Sequence, residues 1–423
     1  MLRALRQFAV GAGVSFYLFP FGLFFFPASV NMKNLMALLG LCFVVFHSIQ
    51  NKTFHISRSL FGAYAIALLF SVTCLFAIDY NGTNDFSYVT YITSFLIWTC
   101  GGYAVCTLIR YEHGTVNFKL ITFYLAAVCL VQCVLALMID RIPAFQLLVD
   151  TYISQGQDFL QDVNRLYGIG ASLDPAGVRF SVVLILIATL LVTHPEVKSN
   201  KKHLALLTIA YLVIVMAGNM ISRTTTTGFA LSFFVLVYST GIFQLVIRKE
   251  YFKFHLIFGS ILIITVAVAT FFYQTDPVFH KNLRFGFEGF FNWVETGVWR
   301  TGSTDKLDNE MWIWPTDFKS WIIGTGLFGG YVYGTDIGYC RFILYCGVVG
   351  LAVFSSLFAY CTYIFAGKYP QYRLLFFLLL VYTFVVWIKV STDIYFIYAI
   401  FFAMEKELFT YKSVKGAEVT LVY

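Results

Sequence analysis

The stretch 178–193 reads VRFSVVLILIATLLVT, and apart from Arg179 it carries no charge. A helix rises 1.5 Å per residue, so a run of roughly 20 such residues crosses a hydrocarbon layer of about 30 Å. Further apolar runs begin near residues 8, 34, 59, 88, 120, 204, 225, 255, 337, 374 and 392, the last being the shortest. Together they predict an all-α polytopic membrane protein with about twelve transmembrane helices, organised as one integral membrane domain over residues 1–423. Two long hydrophilic segments, about 140–178 and 274–335, interrupt the apolar chain and fall on one side of the bilayer.

Composition agrees with that reading. The 423 residues are 59% hydrophobic and only 12% charged, against roughly 25% charged in a soluble protein, and the mean hydropathy is +0.77. The net charge of +7 is scattered through short connections, which is the pattern of a topology signal and not of a nucleic-acid surface. The nine cysteines all lie in apolar stretches; they form neither a disulfide framework nor a zinc spacing, and no metal or cofactor is expected. Arg3 and Arg6 before an apolar run resemble a signal sequence, but the many later spans favour an uncleaved signal-anchor.

The charges also orient the helices. With a cytoplasmic N-terminus, Arg3 and Arg6, Lys52 and Arg58, Arg110 and Lys119, Lys198 to Lys202, Arg248 to Lys253, Lys368 and Arg373, and Lys406 to Lys415 all fall inside. The positive-inside rule then predicts both termini in the cytoplasm. The rule makes exterior cations scarce, so those that remain need a reason. Arg165, Arg179, Arg223, Arg284, Arg300 and Arg341 fall on or just below the outer face. A charge within a span costs about 2.5–3.5 kcal/mol at its centre and less at the interface. Snorkelling or ion pairing is the plain explanation for any single one.

Three segments concentrate these residues. In the first, Asn164-Arg165 leads through Gly168, Gly170 and Asp174-Pro175 to Gly177 and Arg179. A helix start flanked by two arginines suits phosphate oxygens. In the second, Ser222-Arg223-Thr224 and the hydroxyl run to Thr227 join two spans with almost no loop; the threonines can donate to phosphate or cap the next helix. In the third, Gly324-Thr-Gly326 precedes Thr335-Asp336-Ile-Gly338-Tyr339-Cys-Arg341 and then Gly347 and Gly350. Asp336 complements the helix dipole there, while Tyr339 and Arg341 follow within about one turn. Five tryptophans between 293 and 321 are interfacial anchors or faces for sugar rings.

Two arginine turns, a long outer loop, and its Gly-x-Gly and Thr-Asp-x-Gly-Tyr closure resemble the Wzy-type polysaccharide polymerases. That family extends O-antigen and capsular repeat units. The resemblance in motifs is confined to about 165–181, 222–228 and 311–350. It implies a GT-C-like fold in the bacterial inner membrane. It also implies inverting, metal-independent glycosyl transfer between undecaprenyl-diphosphate-linked oligosaccharides, the donor and the acceptor, with a chain-length regulator and a flippase as further partners. On this resemblance Arg165, Arg179 and Arg223 hold the diphosphate, with Arg284 and Arg300 as further substrate contacts. Asp336 is base or acceptor orienter, supported by Tyr339 and Arg341. O-antigen ligases share the layout but typically carry a histidine near the last motif, whereas His280 lies far ahead of Gly324. A repeat-unit flippase or transporter would place charges deep in its helices and keep its outer loops small.

Overall fold

The computed structural model describes residues 2–27, 30–52, 56–156, 159–160, 165–239, 249–405, 411–412 and 418–419. Asn164, Arg248, Lys406 and Lys415 therefore lie outside the described residues. The described residues are 78% helical with almost no sheet. Eight helices among the described residues are long and apolar enough to cross a membrane: Met32–Asn51, Arg58–Asn81, Tyr91–His113, Phe118–Arg141, Leu173–Thr193, Lys201–Ile221, Leu256–Thr275 and Gly338–Lys368. Thr225–Tyr238 and Pro370–Val386 are shorter apolar helices. This is a multi-pass, all-α membrane protein.

The Cα positions group into two compact units. One comprises Met1–Met36, Val105–Glu295 and Met404–Tyr423; the other comprises Ala37–Ala104 and Thr296–Ala403.

The first unit is built on the helix Leu173–Thr193. It is hydrophobic all round, which is the signature of a helix surrounded by others, and every residue from Val182 to Val192 is buried. It packs against Thr225–Ser239, Lys201–Ile221 and Phe118–Arg141. A Cβ on Gly177 would meet the Ser222 and Thr224 side chains, so the absence of one lets the helix seat directly on that turn, as small residues do in membranes. By contrast, Ile263 and Ile264 of Leu256–Thr275 are 70% and 62% exposed, the surface expected of a helix wetted by lipid.

The expected hydrophilic segments are not structureless. Pro143–Tyr152, Pro277–Gly286, Glu288–Thr296, Gly302–Glu310 and Phe318–Ile322 are short helices within them. Three of them begin on a side-chain cap. Asp276 accepts from the Val278 and Phe279 N–H groups with Pro277 in the first turn, Thr301 caps at Thr304 N, and Asp317 caps at Ser320 N. These satisfy donors that a helix start leaves open.

In the second unit the helix Gly338–Lys368 is broken at Cys346 and Gly347, where Gly347 takes φ 66° and ψ −179°. The break frees carbonyls that a continuous helix would use. Thr325 N donates to the Leu344 oxygen at 2.7 Å and Gly326 N to the Tyr345 oxygen at 2.9 Å. Asn81 Nδ2 donates to the Gly324 oxygen at 3.1 Å and Thr83 Oγ1 to the Gly326 oxygen at 2.9 Å. The Gly-Thr-Gly motif is thus a backbone patch on a broken helix, and a Cβ on Gly347 would overlap the Ile322 carbonyl.

Candidate functional site

In the first unit, the helix Lys201–Ile221 ends at Ser222 and the next begins at Thr225, leaving Arg223 at the apex of a tight turn. Asp174, in the first turn of Leu173–Thr193, accepts from Ser222 Oγ at 3.2 Å and from Thr224 Oγ1 at 2.5 Å. One carboxylate therefore fixes the residues on both sides of Arg223. The hydroxyl run is spent internally as well: Thr225 Oγ1 donates to the Gly218 oxygen and Thr226 Oγ1 to Asn219 Oδ1. These bonds run back to the preceding helix and hold the turn, a use distinct from capping the next helix or donating to phosphate.

The Arg223 side chain is 16% exposed and ion-paired to Glu288. Its Cζ stands 4.6 Å from the centroid of Phe285, and Arg165 Cζ stands 5.4 Å from the same ring. Two guanidinium groups thus share one aromatic face system, a geometry worth about 0.5–2 kcal/mol per contact depending on solvation. Burial draws the Arg223 guanidinium below its ordinary value, Glu288 opposing this and the positive Arg165 adding to it. An arginine stays protonated regardless, so the result is a crowded positive site balanced by the paired Glu288 and, more weakly, by Asp174.

Arg165 also lines a cavity of about 620 Å³ together with Asp140, Gln146, Asp150 and Tyr167. That volume lies in the range of small-molecule sites. Its wall is cationic at Arg165 and rich in oxygen acceptors elsewhere. The Tyr167 hydroxyl donates to Asp150 at 2.9 Å; burial, with the Asp150 carboxylate adding to it against Gln146, pushes the phenol up to about 12.

The other expected site residues lie elsewhere. Arg179 lines a different cavity and stands 6.0 Å from the Phe19 ring. Arg284 pairs with Glu295 at 2.5 Å, and Arg300, in the second unit, pairs with Asp305 at 3.1 Å.

Within the second unit, Asp336 is exposed, two residues before the helix Gly338–Lys368. The helix start is served instead by Thr335, whose buried hydroxyl accepts from Ile337 N at 3.1 Å and donates to the Met311 oxygen at 2.6 Å. Asp336 is exposed and makes no capping hydrogen bond to this helix. The Tyr339 hydroxyl donates to the Phe384 oxygen at 2.9 Å. Arg341 lies 3.7 Å from the centroid of Phe328 and donates to that residue's oxygen at 3.3 Å. The cavity it lines is about 10 Å³, room for a single water at most. The Phe328 and Gly329 N–H groups both donate to Asp85 at 2.5 Å.

Reading the sequence did not single out Phe285, Glu288 or Asp85. Phe285 is 120 positions from Arg165, and no local pattern marks a ring that will be shared. Asp174 was read only as a helix start, although an acid beside Pro175 and ahead of an apolar run carries that signal. Comparison with family models, with curated proteins and with solved structures finds no match to this chain.

Proposed function

We propose that this protein is a glycosyltransferase of the bacterial inner membrane that polymerises undecaprenyl-diphosphate-linked oligosaccharide repeat units at the outer leaflet. In this reading it has about twelve spans, a GT-C-like arrangement and both termini in the cytoplasm.

The observation that supports it is the pair Arg165 and Arg223 on Phe285, beside a cavity of about 620 Å³. Glycosyl transfer to a sugar hydroxyl forms a bond from the acceptor oxygen to the donor's anomeric carbon. The bond from that carbon to the diphosphate breaks, and its electron pair leaves on the diphosphate oxygen. Charge develops on the leaving group, and fixed guanidinium donors in a partly dry site stabilise it far better than mobile water does. Arg223 and Arg165 supply those donors, and Glu288 balances Arg223 when no anion is bound. Asp140, Gln146 and Asp150 accept from sugar hydroxyls along the same wall. The acceptor hydroxyl gives its proton to a carboxylate base, a contribution typically of about 10²–10⁴-fold; Asp336, exposed ahead of the helix Gly338–Lys368 and followed by Tyr339 and Arg341, is the candidate for that role.

The test is direct. Purified protein incubated with carrier-linked repeat units yields a polymer ladder on a gel; Arg223→Ala and Arg165→Ala abolish the ladder while remaining membrane-inserted. Absence of a ladder from the unaltered protein refutes polymerisation, and a ladder of normal length from Arg223→Ala refutes the role given to that residue.

A further inference from the structure

A second cavity in the first unit, about 580 Å³, is walled by residues 20–27 on one side and 170–179 on the other. It shares no lining residue with the cavity at Arg165. Its charge is also different. Lys33 and Arg179 line it and, among the described residues, no Asp or Glu does, whereas Arg165 shares its cavity with Asp140 and Asp150. Hydroxyl and amide groups of Asn31, Ser154 and Ser172 add hydrogen-bonding capacity to the cationic wall.

The walls are held by backbone pairing. Gly22 pairs with Ser154 and bridges to Asn31, Phe24 N donates to the Tyr152 oxygen at 3.1 Å, and Met32 N donates to the Phe21 oxygen at 3.0 Å. On the opposite wall Gly170 takes φ 71° against the Phe19 carbonyl, where any Cβ would overlap. Leu173 is held at φ 52°. A non-glycine residue in that region costs about 1–3 kcal/mol and persists where the surroundings enforce it, often at ligand sites. The rim is apolar: Phe24 and Phe26 line the cavity while remaining 57% and 43% exposed.

We propose that this cavity is a headgroup pocket for a phosphate-bearing membrane lipid. The phosphate lies between Lys33 and Arg179, and the hydrocarbon chain leaves over Phe24 and Phe26. Cationic pockets among membrane helices are suited to anionic headgroups, and a free phosphate ion would gain nothing from two exposed aromatic rings at the mouth. The proposal stands apart from glycosyl transfer, because lipid retention is read without turnover.

The experiment is native mass spectrometry of the full-length protein released from micelles doped with phosphatidylglycerol. The unaltered protein retains lipid. Lys33→Gln and Arg179→Gln each weaken retention by about tenfold or more, the loss of one charge-assisted contact, and Phe24→Ser weakens it as well. Lys202→Gln, an exposed cation outside the cavity, leaves it unchanged. Should Arg179→Gln fail to fold, Lys33→Gln and Phe24→Ser carry the test. Retention equal in Lys33→Gln and the unaltered protein overturns the proposal. So does displacement of all the lipid by excess inorganic phosphate with no effect of Phe24→Ser, which would mark a simple ion pocket.

Discussion

Replacing Asp174 by Ala isolates the device that holds Arg223 in place. The carboxylate takes two hydroxyl donors, Thr224 at 2.5 Å and Ser222 at 3.2 Å. A hydrogen bond to a charged group contributes about 1.5–3 kcal/mol; the short contact belongs near the top of that range and the long one at or below its foot. An acid in the first helical turn adds roughly 0.3–1 kcal/mol through the helix dipole. Ser222 and Thr224 are 1% and 5% exposed, so water does not replace the lost acceptor. The expected loss is therefore about 4–5 kcal/mol, read from unfolding of the purified protein in a mild detergent. Combining Asp174→Ala with Thr224→Val closes a double-mutant cycle, whose coupling should be about 1.5–3 kcal/mol. A loss below about 0.5 kcal/mol, the size of an ordinary surface change, or strict additivity in the cycle, would refute the reasoning.

Four further outcomes are expected. Asp85 is held below the usual carboxylate range: burial opposes this, but the Gly329, Ser87 and Phe328 donors outweigh it. Its folded value is therefore the depressed one, so its contribution is complete above the unfolded value of about 3.9 and fades as pH falls through the folded value; Asp85→Asn should flatten the acid limb of a thermal-stability profile. Gly347→Ala should destabilise by more than about 3 kcal/mol, combining a backbone region reserved for glycine with a clash on Ile322, and a monodisperse variant of unaltered melting temperature would contradict it. Glu288→Gln removes the counter-charge of Arg223; we expect lower thermal stability together with tighter pyrophosphate binding by calorimetry, and weaker binding would count against the site. Asp336→Asn should slow polymer formation without changing the melting temperature, since Thr335 carries the helix start; a fall in stability would reassign Asp336 to structure.

The helical, membrane-embedded character is legible because a helix within a membrane bundle keeps a long apolar run, as at 180–193. The breaks within such runs are not. Gly347 sits in an apolar helix whose composition gives no warning, and the Leu344 and Tyr345 carbonyls freed by the break are met by Thr325 and Gly326 from a separate segment. Likewise the run expected near 392 is the nine-residue helix Tyr395–Ala403, preceded by a turn in which the Trp387 indole donates to the Thr392 oxygen. The short helices of 274–335 could have been read, because Asp276-Pro277 is an N-cap followed by proline, but the hydrophilic composition hid them. At the site, local sequence marked Arg223 and Arg165 as cations out of place. It could not show that Phe285 unites them, or that Arg179, only fourteen residues from Arg165, lines a different cavity. Such pairings are fixed by helix packing over long sequence separations.

The central claim, that Arg165 and Arg223 act together on one anionic group, is tested most directly by the affinity of the purified protein for undecaprenyl diphosphate. Each of Arg165→Ala and Arg223→Ala should weaken binding by about tenfold or more. The double variant should lose less than the sum of the two, since both groups address the same phosphates. Full affinity in the double variant would contradict the account.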